Sequence, residues 1–421
     1  GSGSLELGKA KVAALTPAIR SWTLAAGTLG PVHFSFNANF WIGVVLMLIT
    51  FAIQHRGISG TANVQKYIGL AVIIPMLIVG VVPILTGQID WSNYSPLLPL
   101  KTAYSPEPGA WDIPGWTYVL GGMFIAAWST YGFETAVCYT SEFKNPATDT
   151  FKAIFYSGLL CLLLYILVPF TFQGVLGLEG MLAGPIVDGS GVAEAMGKMV
   201  GGGGFVTNLM VMLMILALML SIMTAMAGSS RTLYQASVDG WLPKYLSHVN
   251  KHGAPTRAMW TDLVVNLMAL AIASADATSF FFILAVSNCG YIIFNFLNLN
   301  SGWIHRLDNG HVHRPWKAPT ILIALGTLFA FVNAVFMGAG AKVWNPNALW
   351  AGMFAASLIL PVFWYRHHIQ DGDKFPDHMY EDLNIKPGEI AERKAGILPY
   401  VTLIAGLATV LISNWYFTLP A

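Results

Sequence analysis

Long apolar runs separated by short polar loops set the pattern of this chain. Ten such runs centre on residues 39–54, 67–85, 116–139, 151–172, 205–228, 259–273, 279–299, 320–338, 348–365 and 397–417. A helix rising about 1.5 Å per residue needs about 20 mostly apolar residues to cross a bilayer. The runs are continuous, without the every-second-residue alternation of a barrel strand, so they predict helices. The sixth and seventh are separated only by residues 274–278, which predicts a tight hairpin. The expected fold class is all-α integral membrane, with about ten transmembrane helices in a lipid bilayer.

Composition agrees and adds orientation. The chain is 55% hydrophobic and 10% charged, with mean hydropathy +0.60, which excludes a soluble domain with its quarter of charged residues. A net charge of +1 carries no nucleic-acid signature. The distribution of the 22 Lys and Arg is uneven: 16 lie in the loops after the first, third, fifth, seventh and ninth spans, among them Arg56, Lys144, Arg231, Arg306 and Arg366. The loops on the other side hold only Lys101, Lys198 and Lys342. The positive-inside rule therefore puts the basic loops in the cytoplasm and both termini outside.

The first residues, Gly-Ser-Gly-Ser-Leu-Glu, read as a linker or cloning scar, and residues 7–36 as an extracytoplasmic loop or short surface helix. Residues 37–365 read as a core and 366–421 as a charged cytoplasmic linker followed by one further transmembrane helix. Cys138, Cys161 and Cys289 fall inside predicted spans as small hydrophobes without metal-ligand spacing. The His residues of the loops, such as His311 and His313, lie beside Arg and read as solvated. Neither a metal site nor a cofactor is expected. Asp371, Asp373, Asp377, Glu381 and Asp382 lack a glycine-centred calcium loop and read as a solvated segment.

The third run is interrupted near its centre by Ser129-Thr130-Tyr131-Gly132-Phe133-Glu134. An acid there costs about 2.5–3.5 kcal/mol on insertion scales, so Glu134 reads as facing a cavity or a partner. Further polar motifs follow in the basic loops. They are Ser141-Glu142-Phe143-Lys144-Asn145-Pro146, then Arg231-Thr232-Leu233-Tyr234 with Asp239-Gly240-Trp241-Leu242-Pro243, then His313-Arg314-Pro315-Trp316-Lys317-Ala318-Pro319. Together, in this order, they resemble the amino acid/polyamine/organocation (APC) superfamily of permeases, over most of the chain from Asn39 to about Tyr365.

That resemblance implies a LeuT-like inverted-repeat bundle, with the GFE-bearing span as the family's sixth helix, broken at mid-membrane. Only two spans precede it here, so the resemblance implies a permease lacking the family's first three helices, with family helices 4–12 in residues 37–365. The freed backbone groups of the break would bind an amino acid or related amine: half-helix N-termini attract carboxylate, and free carbonyls attract ammonium. The candidate binding residues are Trp128, Ser129, Thr130, Tyr131, Gly132 and Phe133. In the arginine/agmatine antiporter branch a Trp six residues before the acid stacks on substrate, the place of Trp128, and the acid is linked to proton sensing and gating, the place of Glu134. The alternatives for these two are helix packing and an interhelical hydrogen bond.

An additional polar site is drawn from Ser221, Thr224 and Asn288. Ser221 and Thr224 would suit Na⁺ only with further carbonyl oxygens, and H⁺ is the coupling ion the resemblance points to. Several proton-coupled members carry a lysine midway along the fifth helix; here Val72 aligns there, and Lys66 sits nearly two turns earlier. Pro75 resembles glutamate/GABA-type antiporters, so exchange stays open beside proton symport. Asn295 and Asn298 share a face with Asn288 and read as interhelical hydrogen-bonding groups. The extra C-terminal helix leaves a homo-oligomer open.

The expected function is secondary transport of an amino acid or amine by alternating access, in a bacterial-type inner (plasma) membrane. A permease-derived receptor or scaffold is the rival of another class. No converging His, Asp or Ser cluster marks an enzyme, and no continuous polar stripe marks a channel.

Overall fold

The computed structural model describes residues 22–29, 32–101, 107–187, 189, 191–308, 317–382 and 396–417. The leading linker, the rest of the segment before residue 22, the His313–Trp316 part of the last motif and residues 383–395 lie outside the described residues. Each of the ten apolar runs contains a helix: α1 (Ala38–Gln54), α2 (Ile58–Leu85), α3 (Ile113–Thr130), α4 (Pro146–Met181), α5 (Gly204–Val238), α6 (Thr256–Ala273), α7 (Ala277–Asp308), α8 (Thr320–Trp344), α9 (Ala348–Ser357, extended through Ile359–Trp364 and the π-turn Tyr365–Gln370) and α10 (Leu398–Tyr416). By length and composition seven of them can cross a membrane on their own, namely α2, α4, α5, α7, α8, α9 and α10. The 17-residue α1 is short. The 18-residue α3 stops at a break, and α6 carries Asp262 and Asn266 in its apolar run.

Local chemistry places the helix ends. Asp112 caps α3, its carboxylate accepting from the Gly115 amide at 2.8 Å, with Pro114 in the first turn where a missing N–H costs nothing. Asn37 caps α1 by accepting from the Phe40 amide at 3.1 Å, and its Nδ2 donates to the Ser274 carbonyl at 2.5 Å, tying the start of α1 to the α6–α7 hairpin.

The segment before α1 departs from the expected loop or surface helix. Thr23–Leu29 (β1) and Val32–Asn37 (β2) pair antiparallel, with Leu29 opposite Val32 and Gly27 opposite Phe34. The reason is the period-2 order of Val32-His33-Phe34-Ser35-Phe36, which suits a half-buried strand. β2 packs against α1 and α6.

α8 is the hub of the C-terminal half, packing against α7, α3, α10 and α9. Its buried face is small apart from Met337: Ala330, Ala334, Gly338, Ala339, Gly340 and Ala341. In lipid, where apolar burial gives helices no advantage over the tails, such small residues let backbones approach and gain dispersion and polar contacts. Phe124, Ile292, Met337 and Leu349 fill the space around this face. Two polar links cross it: Asn288 Nδ2 donates to the Phe124 carbonyl at 2.6 Å, and Trp344 Nε1 to the Gly121 carbonyl at 2.9 Å. The additional helix α10 is part of this bundle. Lys342 Nζ of α8 donates to the Asn414 carbonyl at 2.9 Å and to that of Phe417, a cation at a helix C-terminus.

On the basic-loop side Asp371 is docked, contrary to its solvated reading, while Asp373, Asp377 and Glu381 are exposed. The Asp371 carboxylate accepts from Arg366 Nε at 2.5 Å and pairs with Lys244 Nζ at 2.8 Å, while Arg366 Nη1 donates to the Leu242 carbonyl at 2.8 Å. Trp241 stacks on Phe363, so the Asp239–Pro243 motif is held against the end of α9. Burial alone raises the Asp371 carboxyl, but hydrogen bonds and charge from Lys244 and Arg366 outweigh it and hold it below its ordinary value of 3.8.

Two outcomes follow. A Cβ on Gly340 would sit 2.5 Å from the Leu120 carbonyl oxygen, so Gly340→Ala should cost about 1–3 kcal/mol, read as a lower melting temperature in detergent, whereas Gly122→Ala, with open space around it, should not lower it. Because the Asp371 pKa is depressed, its contribution is fully present above pH 3.8 and fades as pH falls below it. Asp371→Asn should therefore lower the melting temperature at pH 7, with the gap to the parent chain closing as the pH is taken below 3.8.

Candidate functional site

The functional geometry begins where α3 ends. Thr130 is the last helical residue; Tyr131 is extended (φ −75°, ψ 156°) and Gly132 has φ +121°, a conformation that L side chains rarely adopt. The chain then runs on as a 3₁₀ segment, Phe133–Glu142. The Tyr131 amide donates back to the Trp128 carbonyl at 3.3 Å, and the Thr135 amide to the Gly132 carbonyl at 3.0 Å. A helix interrupted within an apolar run is tolerated only where protein or water can meet the released groups.

The candidate residues have distinct settings. Ser129 Oγ donates to the Ala126 carbonyl and Thr130 Oγ1 to the Ala127 carbonyl, each at 2.8 Å, so both hydroxyl protons are used by the helix itself. The Tyr131 ring stacks on Tyr291 of α7, with centroids 5.3 Å apart. Trp128 is 38% exposed and stands outside the cavity described next. The side chains of Phe133 and Glu134 lie outside the described residues.

Next to the break is a cavity of about 1730 Å³, walled by the 3₁₀ segment, α5, α6 and α7, and reaching the loops after α5 at Trp241 and Gly253. It is larger than the pocket of one small ligand, about 300–1,000 Å³, and has the size of a vestibule. Tyr291, the stacking partner of Tyr131, lines it, as do Thr135 and Cys138 of the segment after the break. Break and vestibule thus share a wall.

The three residues of the additional polar site do not come together. Ser221 lines the vestibule, its hydroxyl donating to the Ala217 carbonyl at 3.0 Å. Thr224 accepts from Gln65 Nε2 of α2 at 3.2 Å. Asn288 is buried and holds the Phe124 carbonyl. Among the described residues no group of three or more His, Cys, Asp or Glu could hold a metal ion.

Two of the sequence motifs meet at the vestibule. Arg231 Nε donates to Glu142 at 2.6 Å across 89 residues of chain, Arg231 Nη1 to the Ala227 carbonyl at 3.2 Å, and the guanidinium lies 5.2 Å from the Tyr139 ring. Arg231 is nearly buried and Glu142 largely so, which makes this pair the joint between α5 and the 3₁₀ segment. Sequence reasoning also missed Asp262, a buried acid of α6 on the vestibule wall. Its signal was an acid with Asn266 four residues on, inside an apolar run.

Comparison with known proteins follows the same line. A family model described as amino acid permease matches residues 12–359. The chain is 23% identical over 311 residues to the branched-chain amino acid permease BcaP of Lactococcus lactis, covering 72% of this chain and 61% of that protein. It is 24% identical over 246 residues to BcaP of Bacillus subtilis, covering 56% and 46%. The lysine-specific permease LysP of Escherichia coli is 22% identical over 372 residues, covering 80% and 71%. The chain thus spans roughly half to three-fifths of the length of the two BcaP relatives.

Removing one partner of the Arg231–Glu142 pair strands the other. Arg231→Ala should destabilise by roughly 3 kcal/mol, at the low end for breaking a buried pair, and Glu142→Gln by less because its carboxylate is partly solvated. A double-mutant cycle of melting temperatures checks this: the double variant should be less impaired than the two single losses added together.

Proposed function

The chain belongs to the amino acid permease family, a family of multi-pass membrane transporters and not of enzymes, and from that premise we propose that it moves an α-amino acid or a related amine across the plasma membrane by alternating access. The observation that carries this reading is the interruption of α3 at Tyr131 and Gly132 beside a vestibule that reaches the basic-loop side. An interrupted helix offers carbonyls to an ammonium and amides to a carboxylate, the two groups that every α-amino acid presents. The printed substrates of the relatives, branched-chain amino acids and lysine, share that pair and differ beyond it.

In this reading Ser129, Thr130, Tyr131, Gly132 and Phe133 contribute the backbone of the site, Trp128 stacks on a cationic substrate group, and Glu134 is the proton-linked gate. The vestibule is the route between that site and the cytoplasm, on the orientation given by the basic loops. Rocking of the helices around the site would open it alternately to each side, with H⁺ as the coupling ion in the symport form. Exchange is a second form of the same activity. It is favoured by Val72, a buried apolar side chain at the place where, by the resemblance, proton-coupled members carry a lysine.

Proteoliposome uptake tests the proposal. Purified protein should take up radiolabelled leucine or lysine above protein-free vesicles. Stimulation by an inward pH gradient marks symport, and dependence on unlabelled amino acid loaded inside marks exchange. No uptake of any labelled amino acid or amine, with the protein folded, overturns the transport reading in favour of a receptor or scaffold.

A further inference from the structure

The vestibule wall contains an acid that the transport reading does not use. Asp262 lies on α6, nine-tenths buried, and its Oδ2 makes no hydrogen bond. Ser229 and Asn266 are the hydrogen-bonding neighbours of this carboxylate, but neither satisfies Oδ2, and their Oγ and Nδ2 atoms also meet backbone carbonyls. Ser229 Oγ donates to the Met226 carbonyl at 3.2 Å, and Asn266 Nδ2 to the Asp262 backbone carbonyl at 2.9 Å. Other wall hydroxyls repeat the pattern, Thr261 Oγ1 donating to the Arg257 carbonyl at 2.9 Å and Ser221 Oγ to that of Ala217. The wall hydroxyls are thus turned to helix carbonyls, which leaves their oxygens as acceptors, while Asn266 Nδ2 keeps a second N–H.

Charge points the same way. Among the described residues the charged groups lining the vestibule are Glu142, Arg231, Asp239 and Asp262, three acids against one base. Arg231 is taken by Glu142, and Asp239 accepts from Gln235 Nε2 at 2.7 Å and faces His378 Nε2 at 3.3 Å. Asp262 is the acid left without a counter-charge among the described residues. A carboxylate nearly buried within an apolar run, on the wall of a largely apolar cavity, calls for a cation.

We propose that Asp262, with the oxygens of Ser229 and Asn266, forms an ammonium-binding subsite on the vestibule wall, distinct from the interruption of α3, where the amino group of a solute rests on its way between that site and the basic-loop side. An organic ammonium fits better than a bare alkali or alkaline-earth ion. A hard cation such as Ca²⁺ demands six or more oxygens closed around it, whereas Asp262, Ser229 and Asn266 stand on the side of a cavity wide enough to leave the rest of an organic solute in water. The proposal rests on the transport reading for its purpose, though binding is measurable without transport.

Calorimetric titration of the purified full chain in nanodiscs with n-butylammonium chloride tests it, with n-butanol and NaCl as controls. Saturable binding of butylammonium is expected, with none for butanol and no displacement by equimolar NaCl. Asp262→Asn should weaken binding about tenfold or more, while Asp262→Glu stays within about threefold. Should Asp262→Asn not fold, Asn266→Asp supplies the test, since a second acid should tighten binding by about threefold or more. Unchanged affinity in Asp262→Asn or in Asn266→Asp, equal binding of butanol, or mole-for-mole displacement by Na⁺ overturns the subsite. Absence of amino acid uptake with an intact Asp262-dependent titration would sink the transport reading alone; uptake without that titration would sink the subsite alone.

Discussion

A bilayer supplies no hydrogen bonds, and this chain interrupts a helix inside an apolar run. That constraint organises the molecule around Tyr131 and Gly132. Once α3 stops there, the released amides and carbonyls need protein or water, so the stretch cannot face lipid. The Tyr131 ring leans on Tyr291, Asn288 and Trp344 hold carbonyls of α3 upstream of the break, and the chain beyond it becomes a wall of the vestibule. Gly132 lets the backbone turn through φ +121° at this point.

Around the interruption the molecule uses two kinds of joint. Where helices must hold position, small residues and single polar links bring them close, as along α8 against α3 and α10. Where the basic loops meet the vestibule, ion pairs do the work: Arg231 with Glu142, and Arg366 and Lys244 with Asp371. Both clusters are made of residues from the sequence motifs or adjacent to them. The motifs therefore have a structural reading here, locking the loops to α5 and α9, alongside what the family resemblance implies.

Much of the fold was legible because a membrane makes it so. Ten apolar runs predicted ten helices, and a Ser-Thr-Tyr-Gly-Phe-Glu interruption stood out against an apolar background. The hairpin before α1 was not legible, since Gly30 and Pro31 read as loop and the strands are short. The Arg231–Glu142 joint could not be read from two motifs 89 residues apart. Asp262 was hidden by its place three residues inside the run taken to start at 259, where an acid looks interfacial; only its burial on a cavity wall gives it weight. Ser221, Thr224 and Asn288 looked like one polar group, but Ser221 and Thr224, three apart on α5, meet different partners, and Asn288 on α7 is turned to α3.

The central claim is that the backbone at the α3 interruption faces water and solute, not lipid. Hydrogen–deuterium exchange of the protein in liposomes addresses it directly, comparing peptides covering residues 129–135 with those covering 117–127. The account predicts fast exchange over 129–135, slow exchange over 117–127, and slowing of the former when a transported amino acid is added. Exchange over 129–135 as slow as in the flanking helix, and indifferent to added amino acid, would contradict it.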